Sequence, residues 1–189
     1  MELLKERIKI DGESFDGGIL NVDSFISHQL DPILMKNIAE EFVKRFEDLN
    51  VNKIITIETS GIAPSILLGL ALELPVVFVK KIEPKNLDEF YSTQVYSFTK
   101  DKTYDIYVNK QYLSEGDNVI FIDDFLANGN AALGVRYLVK EAGANLLGMG
   151  FIIEKSFQEG RDRLLNHGIR VESLVRIDWI SENSIEFVK

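Results

Sequence analysis

The chain has no cysteine at all. A disulfide framework, a thiolate nucleophile and a cysteine metal site are excluded together. Histidine is nearly as scarce: His28 and His167 are the only two, so a His-rich metal centre is not expected. No apolar run approaches the ~20 residues of a membrane span. The opening Met1-Glu2-Leu3-Leu4-Lys5-Glu6-Arg7 is charged and lacks the apolar core of a signal peptide. Basic residues are in deficit, 21 Lys and Arg against 30 Asp and Glu, for a net charge of -9. A nucleic-acid binder needs clustered Lys and Arg, so that class is disfavoured, as is a membrane partner. An anionic small molecule stays possible, since local N–H groups, a few cations and Mg²⁺ can hold one. These absences leave a cytoplasmic globular protein as the expectation.

What is present fits one domain over residues 1–189, large enough for a proper core. Hydrophobic residues make up 46% and charged residues 27%, as in ordinary globular chains. We find no repeat, low-complexity tract or linker.

The most informative stretch runs from Val119 to Ala132. Val119-Ile120-Phe121-Ile122 reads as a buried strand. Asp123-Asp124 follow at its end. Ala127-Asn128-Gly129-Asn130-Ala131 form a loop of small and polar residues, and an amphipathic helix covers Leu133 to Glu141. A loop opening a helix exposes N–H groups at the positive end of the helix dipole, which suits a phosphate. Carboxylates cannot bind phosphate. They accept hydrogen bonds from hydroxyls, or sit near Mg²⁺. A phosphate site beside a hydroxyl site suits a sugar phosphate.

The remaining pattern is α/β. Glu2 to Ile10 reads as a short helix, and Ile19 begins an extended segment. Asp31-Pro32 open a helix with an acidic cap and a proline in first position; helical spacing continues to Leu49. Lys53 to Ile57 is a strand ending at Glu58-Thr59-Ser60-Gly61, and Ile62 starts the next helix. Pro75 to Val79 is a third strand, closed by Lys80-Lys81. This βαβ order implies a parallel sheet with right-handed crossovers. Val95 to Thr99 and Tyr104 to Val108 alternate as a hairpin, with Lys100-Asp101-Lys102 as its turn. Leu146 to Ile153 is a strand ending at Glu154-Lys155-Ser156-Phe157. A short helix over Gln158 to Asn166 and strands over Ile169–Ile177 and Ser184–Val188 complete the chain. The strands place the loops Glu58–Gly61, Asp123–Ala131 and Lys155–Phe157 on one sheet edge, where they can converge.

Asp123-Asp124-Phe125-Leu126-Ala127-Asn128-Gly129-Asn130-Ala131 resembles the ribose-phosphate loop of the type I phosphoribosyltransferases, and its Asp-Asp-Phe-Leu-Ala-Asn-Gly wording is similar to the xanthine branch of that family. Asn128 and Ala131 stand where the family usually has Thr. The resemblance implies a mostly parallel sheet with helices on both faces, a hood from residues 1–30 with the C-terminal strands, and a lid hairpin over residues 93–108. It implies transfer of a phosphoribosyl group from phosphoribosyl pyrophosphate to xanthine, with Mg²⁺ held mainly by substrate oxygens and no dedicated protein metal ligands, in a homodimer. Asp123 and Asp124 would take the ribose hydroxyls. Ala127, Asn128, Gly129, Asn130 and Ala131 would cradle the 5-phosphate. Thr59, Ser60 and Gly61 would face pyrophosphate. Lys80 would join them, or belong to a solvated basic pair with Lys81. Lys155 would donate to an oxo group of the base and Phe157 would stack on it. Leu20 and Ser27 would lie against the base from the hood; on sequence grounds alone Leu20 reads more as a packing residue than as a contact, and Ser27 also reads as a helix-entry residue. Ala127 occupies the position of an acid in hypoxanthine-guanine relatives, and no general base is evident. Other purine preferences remain open within this class. A regulator that senses phosphoribosyl pyrophosphate without catalysis would need a DNA-binding part, and no basic patch or helix-turn-helix stretch is seen.

Overall fold

The computed structural model describes residues 1–97 and 101–188, with the side chain of Ser97 left aside. Phe98, Thr99 and Lys100, assigned above to the hairpin's first strand and turn, lie outside the described residues. The chain begins with helix α1 (Glu2–Asp11) and a small hairpin, β1 (Glu13–Phe15) and β2 (Ile19–Asn21). A π-helical turn (Asp23–Ser27) leads to α2 (Pro32–Arg45). Then come β3 (Lys53–Ile57), α3 (Ile62–Leu72) and β4 (Val76–Val79). A second hairpin, β5 (Phe90–Ser97) and β6 (Lys102–Asn109), is inserted before β7 (Asn118–Leu126). The chain ends with α4 (Asn130–Glu141), β8 (Asn145–Lys155), α5 (Gly160–Asn166), β9 (Val171–Ser181) and β10 (Ser184–Phe187).

Six strands form one sheet in the order β10-β9-β8-β7-β3-β4. Every neighbouring pair is parallel except β10 on β9. Strands covered on both faces need apolar residues at every position, which is why Ile54-Ile55 and Ile120-Phe121-Ile122 run without alternation. Successive side chains point to opposite faces. Ile54, Ile120 and Ile122 meet Phe25, Met35, Ile38 and Phe42 beneath α1, α2 and α3. Ile55, Phe121 and Phe151 meet Val135, Leu138 and Leu164 beneath α4 and α5. Each such fully buried side chain contributes roughly 1.5–3 kcal/mol.

Asp31 caps α2 as its sequence suggests, its Oδ1 accepting from the N–H groups of Ile33 and Leu34 at 3.0 Å. The helix stops at Arg45 rather than Leu49. Arg170 ends it, donating to the Arg45 carbonyl at 2.5 Å and lying 5.7 Å from the Phe46 ring centroid. A carbonyl taken by a side chain from across the fold no longer needs another helical turn.

Three further boundary differences bear on the site. β7 continues through Asp123 and Asp124 to Leu126, because β8 goes on pairing with it: Phe125 is opposite Ile153 and Leu126 opposite Glu154. The acidic pair therefore lies inside the strand. α4 begins at Asn130, so Asn130 and Ala131 are its first turn and not loop. The second hairpin starts at Phe90, and its base belongs to the core. Lys80 and Tyr107 exchange backbone hydrogen bonds at 2.8 Å, and Val95 and Ile106 are buried against α4. There Gly134 makes room: a Cβ on it would lie 2.5 Å from Val95 Cγ2.

Candidate active site

The carboxyl ends of β3, β7 and β8 meet at one edge of the sheet, since β7 is paired in parallel with both neighbours. Ligands of open α/β sheets bind at such an edge. A cleft of about 140 Å³ opens there. Its walls include Asp123, Phe125, the residues Ala127 to Ala131, and Val95, Tyr96 and Tyr104 of the hairpin.

Asp123 is the buried acid of the cleft. Its Oδ1 accepts the Asp124 N–H at 3.0 Å, and Asp124 Oδ1 accepts the Phe125 N–H at 2.9 Å. Burial pushes the Asp123 carboxyl well above the usual range, and the neighbouring Asp124 pushes it further; the Asp124 N–H and the Lys81 ammonium pull the other way. A carboxylate so placed is relieved by donors from a ligand, and hydroxyls qualify.

The Glu58–Gly61 turn closes on the same acid. Its Glu58–Thr59 peptide bond is cis. Glu58 Oε1 accepts the Lys81 N–H at 2.5 Å. A Cβ on Gly61 would lie 2.3 Å from Thr56 Oγ1 and 3.0 Å from Asp123 Oδ1, so only glycine fits between the turn and β7. Thr59 is exposed and Ser60 half-buried at the start of α3. Of the two lysines after β4, Lys80 Nζ lies 5.6 Å from the Phe78 ring centroid, and Lys81 Nζ lies 5.4 Å from that of Tyr104 in the cleft wall. Lys81 is thus the cation nearer the acid. Burial and then Asp123 raise the Tyr104 phenol above its ordinary value.

The Ala127–Ala131 segment turns on Gly129, whose φ of 78° is the left-handed region that glycine adopts freely. The short loop packs so tightly on α5 that a Cβ on Gly160 would lie 2.2 Å from the Ala127 carbonyl oxygen. No side-chain hydrogen bond caps the first turn of α4, and that turn lines the cleft; uncapped N–H groups at a helix start suit an anion.

Lys155 ends β8. Its Nζ donates to the Gly18 carbonyl at 2.8 Å and lies 5.6 Å from the Phe125 ring centroid. Burial lowers its pKa. Gly18, with φ of 74°, sits directly on Phe157: a Cβ there would be 2.9 Å from the ring. Phe125 joins this end to the cleft, since it both lines the cleft and carries Lys155. Leu20 is buried in the first core with Val22 and Phe25, while Ser27 is half-buried at the end of the π-helical turn. The structure therefore gathers Asp123 and residues 127–131 in one cleft, with Gly61 against the acid and Lys155 and Phe157 at the adjoining end under the hood. Asp124, Gly61, Lys155 and Phe157 adjoin the cleft without being among its wall residues, and Thr59, Ser60, Lys80, Leu20 and Ser27 also lie outside those walls.

Sequence reasoning missed the brace behind these loops. Glu154, buried at 1% exposure, accepts Arg161 Nε and Nη2 at 2.8 and 2.6 Å, Arg176 Nε at 2.9 Å, Ser156 Oγ at 2.7 Å and Ser173 Oγ at 2.5 Å. Burial alone would raise its pKa; the bonds from Arg161, Ser173 and Ser156 overcome that and hold it at about 2. Arg163 was missed too. Nothing local in the sequence joins either arginine to its partners. Among the described residues no three His, Asp or Glu side chains cluster as a metal site, and no helix is long and apolar enough to cross a membrane.

Comparison with known proteins places this geometry. No family model matches the chain. Two curated relatives, from Bacillus cereus (strain AH187) and Macrococcus caseolyticus (strain JCSC5402), are each named xanthine phosphoribosyltransferase. They are 47% and 48% identical to the chain, cover all of it, and are themselves covered over 96% and 97% of their length. Among solved structures, adenine phosphoribosyltransferase from Saccharomyces cerevisiae superposes with a TM-score of 0.73 at 24% identity over 92% of this chain and 99% of its own. That from Rhodothermus marinus gives 0.75 at 23% over 93% and 99%. These two likenesses establish the fold, a type I phosphoribosyltransferase α/β sheet. Identity near one half over the whole length goes further than fold: the chain belongs to the xanthine phosphoribosyltransferase family.

Proposed function

We propose that this protein transfers the 5-phosphoribosyl group of phosphoribosyl pyrophosphate to N9 of xanthine, giving xanthosine monophosphate and pyrophosphate for purine salvage. The observation that carries the reading is the cleft, in which a buried carboxyl whose pKa is pushed up stands beside an uncapped helix start. In this reading the N–H groups from Ala127 to Ala131 hold the 5-phosphate, and Asp123 and Asp124 accept from the ribose hydroxyls. The bond from C1 to the pyrophosphate oxygen breaks as the bond to N9 forms, with loss of the N9 proton. Positive charge grows on the ribose ring, and carboxylates that hold its hydroxyls would stabilise that charge. Thr59, Ser60 and Gly61, with Lys81 and Lys80 beyond them, face the departing pyrophosphate. The hairpin, already seated on α4, is the wall that screens the reacting centre from water.

Mg²⁺ fits this arrangement as an ion carried by substrate. The residues present are two adjacent carboxyls, which can face its water shell, and Mg²⁺ prefers to keep several waters and phosphate oxygens. When bound, it neutralises charge on the pyrophosphate.

Lys155 supports xanthine over adenine. An ammonium has donors only, so it suits a ring oxo group and not an exocyclic amine. We further infer a homodimer in the cytoplasm. Exposed Ile66 and Leu70 on α3, Phe78 on edge strand β4, and Ile82 beyond it support an interface on that side. The deciding experiment is a base panel: purified protein, Mg²⁺ and phosphoribosyl pyrophosphate, with xanthine, guanine, hypoxanthine or adenine. Xanthine should give the highest kcat/KM. Absence of pyrophosphate release with every base would defeat the enzyme reading; preference for adenine would defeat the role of Lys155.

A further inference from the structure

The segment Ala127-Asn128-Gly129-Asn130-Ala131 contains no hydroxyl side chain. A phosphate seated there depends on which way the backbone N–H groups point. A trans peptide is planar, with its C=O and the following N–H opposed. Fixing one carbonyl therefore fixes the next N–H in the opposite direction. In this protein two successive carbonyls of the loop are held from behind by the same short helix. The Ala127 carbonyl accepts the Gly160 N–H at 3.1 Å. The Asn128 carbonyl accepts Arg163 Nη1 at 2.5 Å. Both bonds come from α5, so the N–H groups of Asn128 and Gly129 are turned away from α5.

Arg163 makes a second bond. The same Nη1 donates to Asn130 Oδ1 at 2.7 Å, and Asn130 Nδ2 donates to the Tyr96 carbonyl at 2.8 Å. The amide of Asn130 is thereby occupied at both ends. Its oxygen and one of its two N–H groups thus join α5 to the hairpin. α5 is itself anchored at its first turn, where Arg161 pairs with buried Glu154.

We propose that Arg163 is a positioning residue for the phosphate seat: through the Asn128 carbonyl and the Asn130 amide it aims the loop's N–H groups into the cleft. This rests on the reading that the loop holds the 5-phosphate. Misaiming a loop N–H that donates to an anionic phosphate costs roughly ten- to hundredfold in binding. Arg163→Gln should therefore raise KM for phosphoribosyl pyrophosphate by about that factor, with a smaller change in kcat. The reverse reaction separates the two phosphate sites. With xanthosine monophosphate and pyrophosphate as substrates, the nucleotide KM should rise in parallel while the pyrophosphate KM stays within about twofold, since pyrophosphate meets the other turn. Arg163→Lys keeps a single donor head and should recover part of the loss. Asn130→Ala keeps the Asn128 bond and should cost less than Arg163→Gln. Thermal melts on all variants check folding, and Arg163→Lys serves if the glutamine variant unfolds. A wild-type protein inactive in both directions would remove the reading of the site, and the proposal with it. With wild type active, an unchanged nucleotide KM, or equal losses for nucleotide and pyrophosphate, would overturn the role of Arg163 alone.

Discussion

Replacing Asp123 by Asn should make the protein more stable and nearly inactive, and the gain in stability should depend on pH. Asp123 is 9% exposed, and the carboxyl of Asp124 is its neighbour in sequence and in space. Burial and that like charge raise its pKa in the folded state above the ordinary value of 3.8. The sign follows from linkage. As pH rises past the unfolded value, the unfolded chain releases the proton and the folded chain keeps it, so the native state loses ground. The loss accumulates until pH passes the raised folded value and is constant above it. Asparagine has the same shape and never ionises, and its Oδ1 can still accept the Asp124 N–H. An inadequately satisfied buried polar group costs about 1–3 kcal/mol, or more if charged. At ~2–4 °C per kcal/mol for a chain of this length, the variant should melt about 2–12 °C above wild type at pH 8. The difference should shrink towards pH 4. Circular dichroism melts across that range supply the measurement, and turnover with xanthine should fall by orders of magnitude in the same samples. A variant that melts below wild type at pH 8, or by a margin independent of pH, would show that ionised Asp123 is well solvated or paired in the free protein. Near-normal turnover would remove it from the ribose site.

Lys155→Ala should weaken xanthine by about ten- to hundredfold, the worth of a charged donor to a buried oxo group, and leave phosphoribosyl pyrophosphate nearly unchanged; isothermal titration of each ligand checks this, and the opposite pattern would assign Lys155 to a phosphate. Glu154→Gln leaves two arginines, 21% and 41% exposed, facing a neutral amide; losing a charged hydrogen bond costs about 1.5–3 kcal/mol, read by urea denaturation. In wild type the Glu154 contribution is present above the ordinary carboxyl pKa of 4.5 and lost as pH falls towards about 2, so acid unfolding should begin at higher pH once it is gone. Gly134→Ala forces a methyl to within 2.5 Å of Val95; overpacking of ~1–3 kcal/mol should lower the melting temperature and shift the hairpin, cutting kcat/KM. Wild-type stability and turnover in that variant would mean that the hairpin's seat on α4 does not matter.

Local pattern alone determined a good part of this protein. β3 is Lys53–Ile57 in the structure as in the sequence, and Asp31-Pro32 cap α2 as acidic and proline chemistry at a helix start requires. The acidic pair, small loop and helix of 119–141 were readable because each depends on neighbours within one or two turns of chain. Parallel pairing of the apolar runs followed from their order, and with it the meeting of Asp123 and Gly61 at one edge.

Tertiary structure decided what depends on residues distant in sequence. β7 runs past its acids because β8 continues to pair with it, which no property of Asp123-Asp124 indicates. α2 stops at Arg45 because Arg170, far along the chain, takes its carbonyl. Lys81 lies nearer the acid than Lys80, and no difference between the two lysines in sequence indicates which. Nothing in the local sequence singles out Arg161 or Arg163. Their guanidinium groups find partners only when the sheet sets α5 behind the 127–131 loop, because a carbonyl or a buried carboxylate binds whichever donor the fold brings within hydrogen-bond reach.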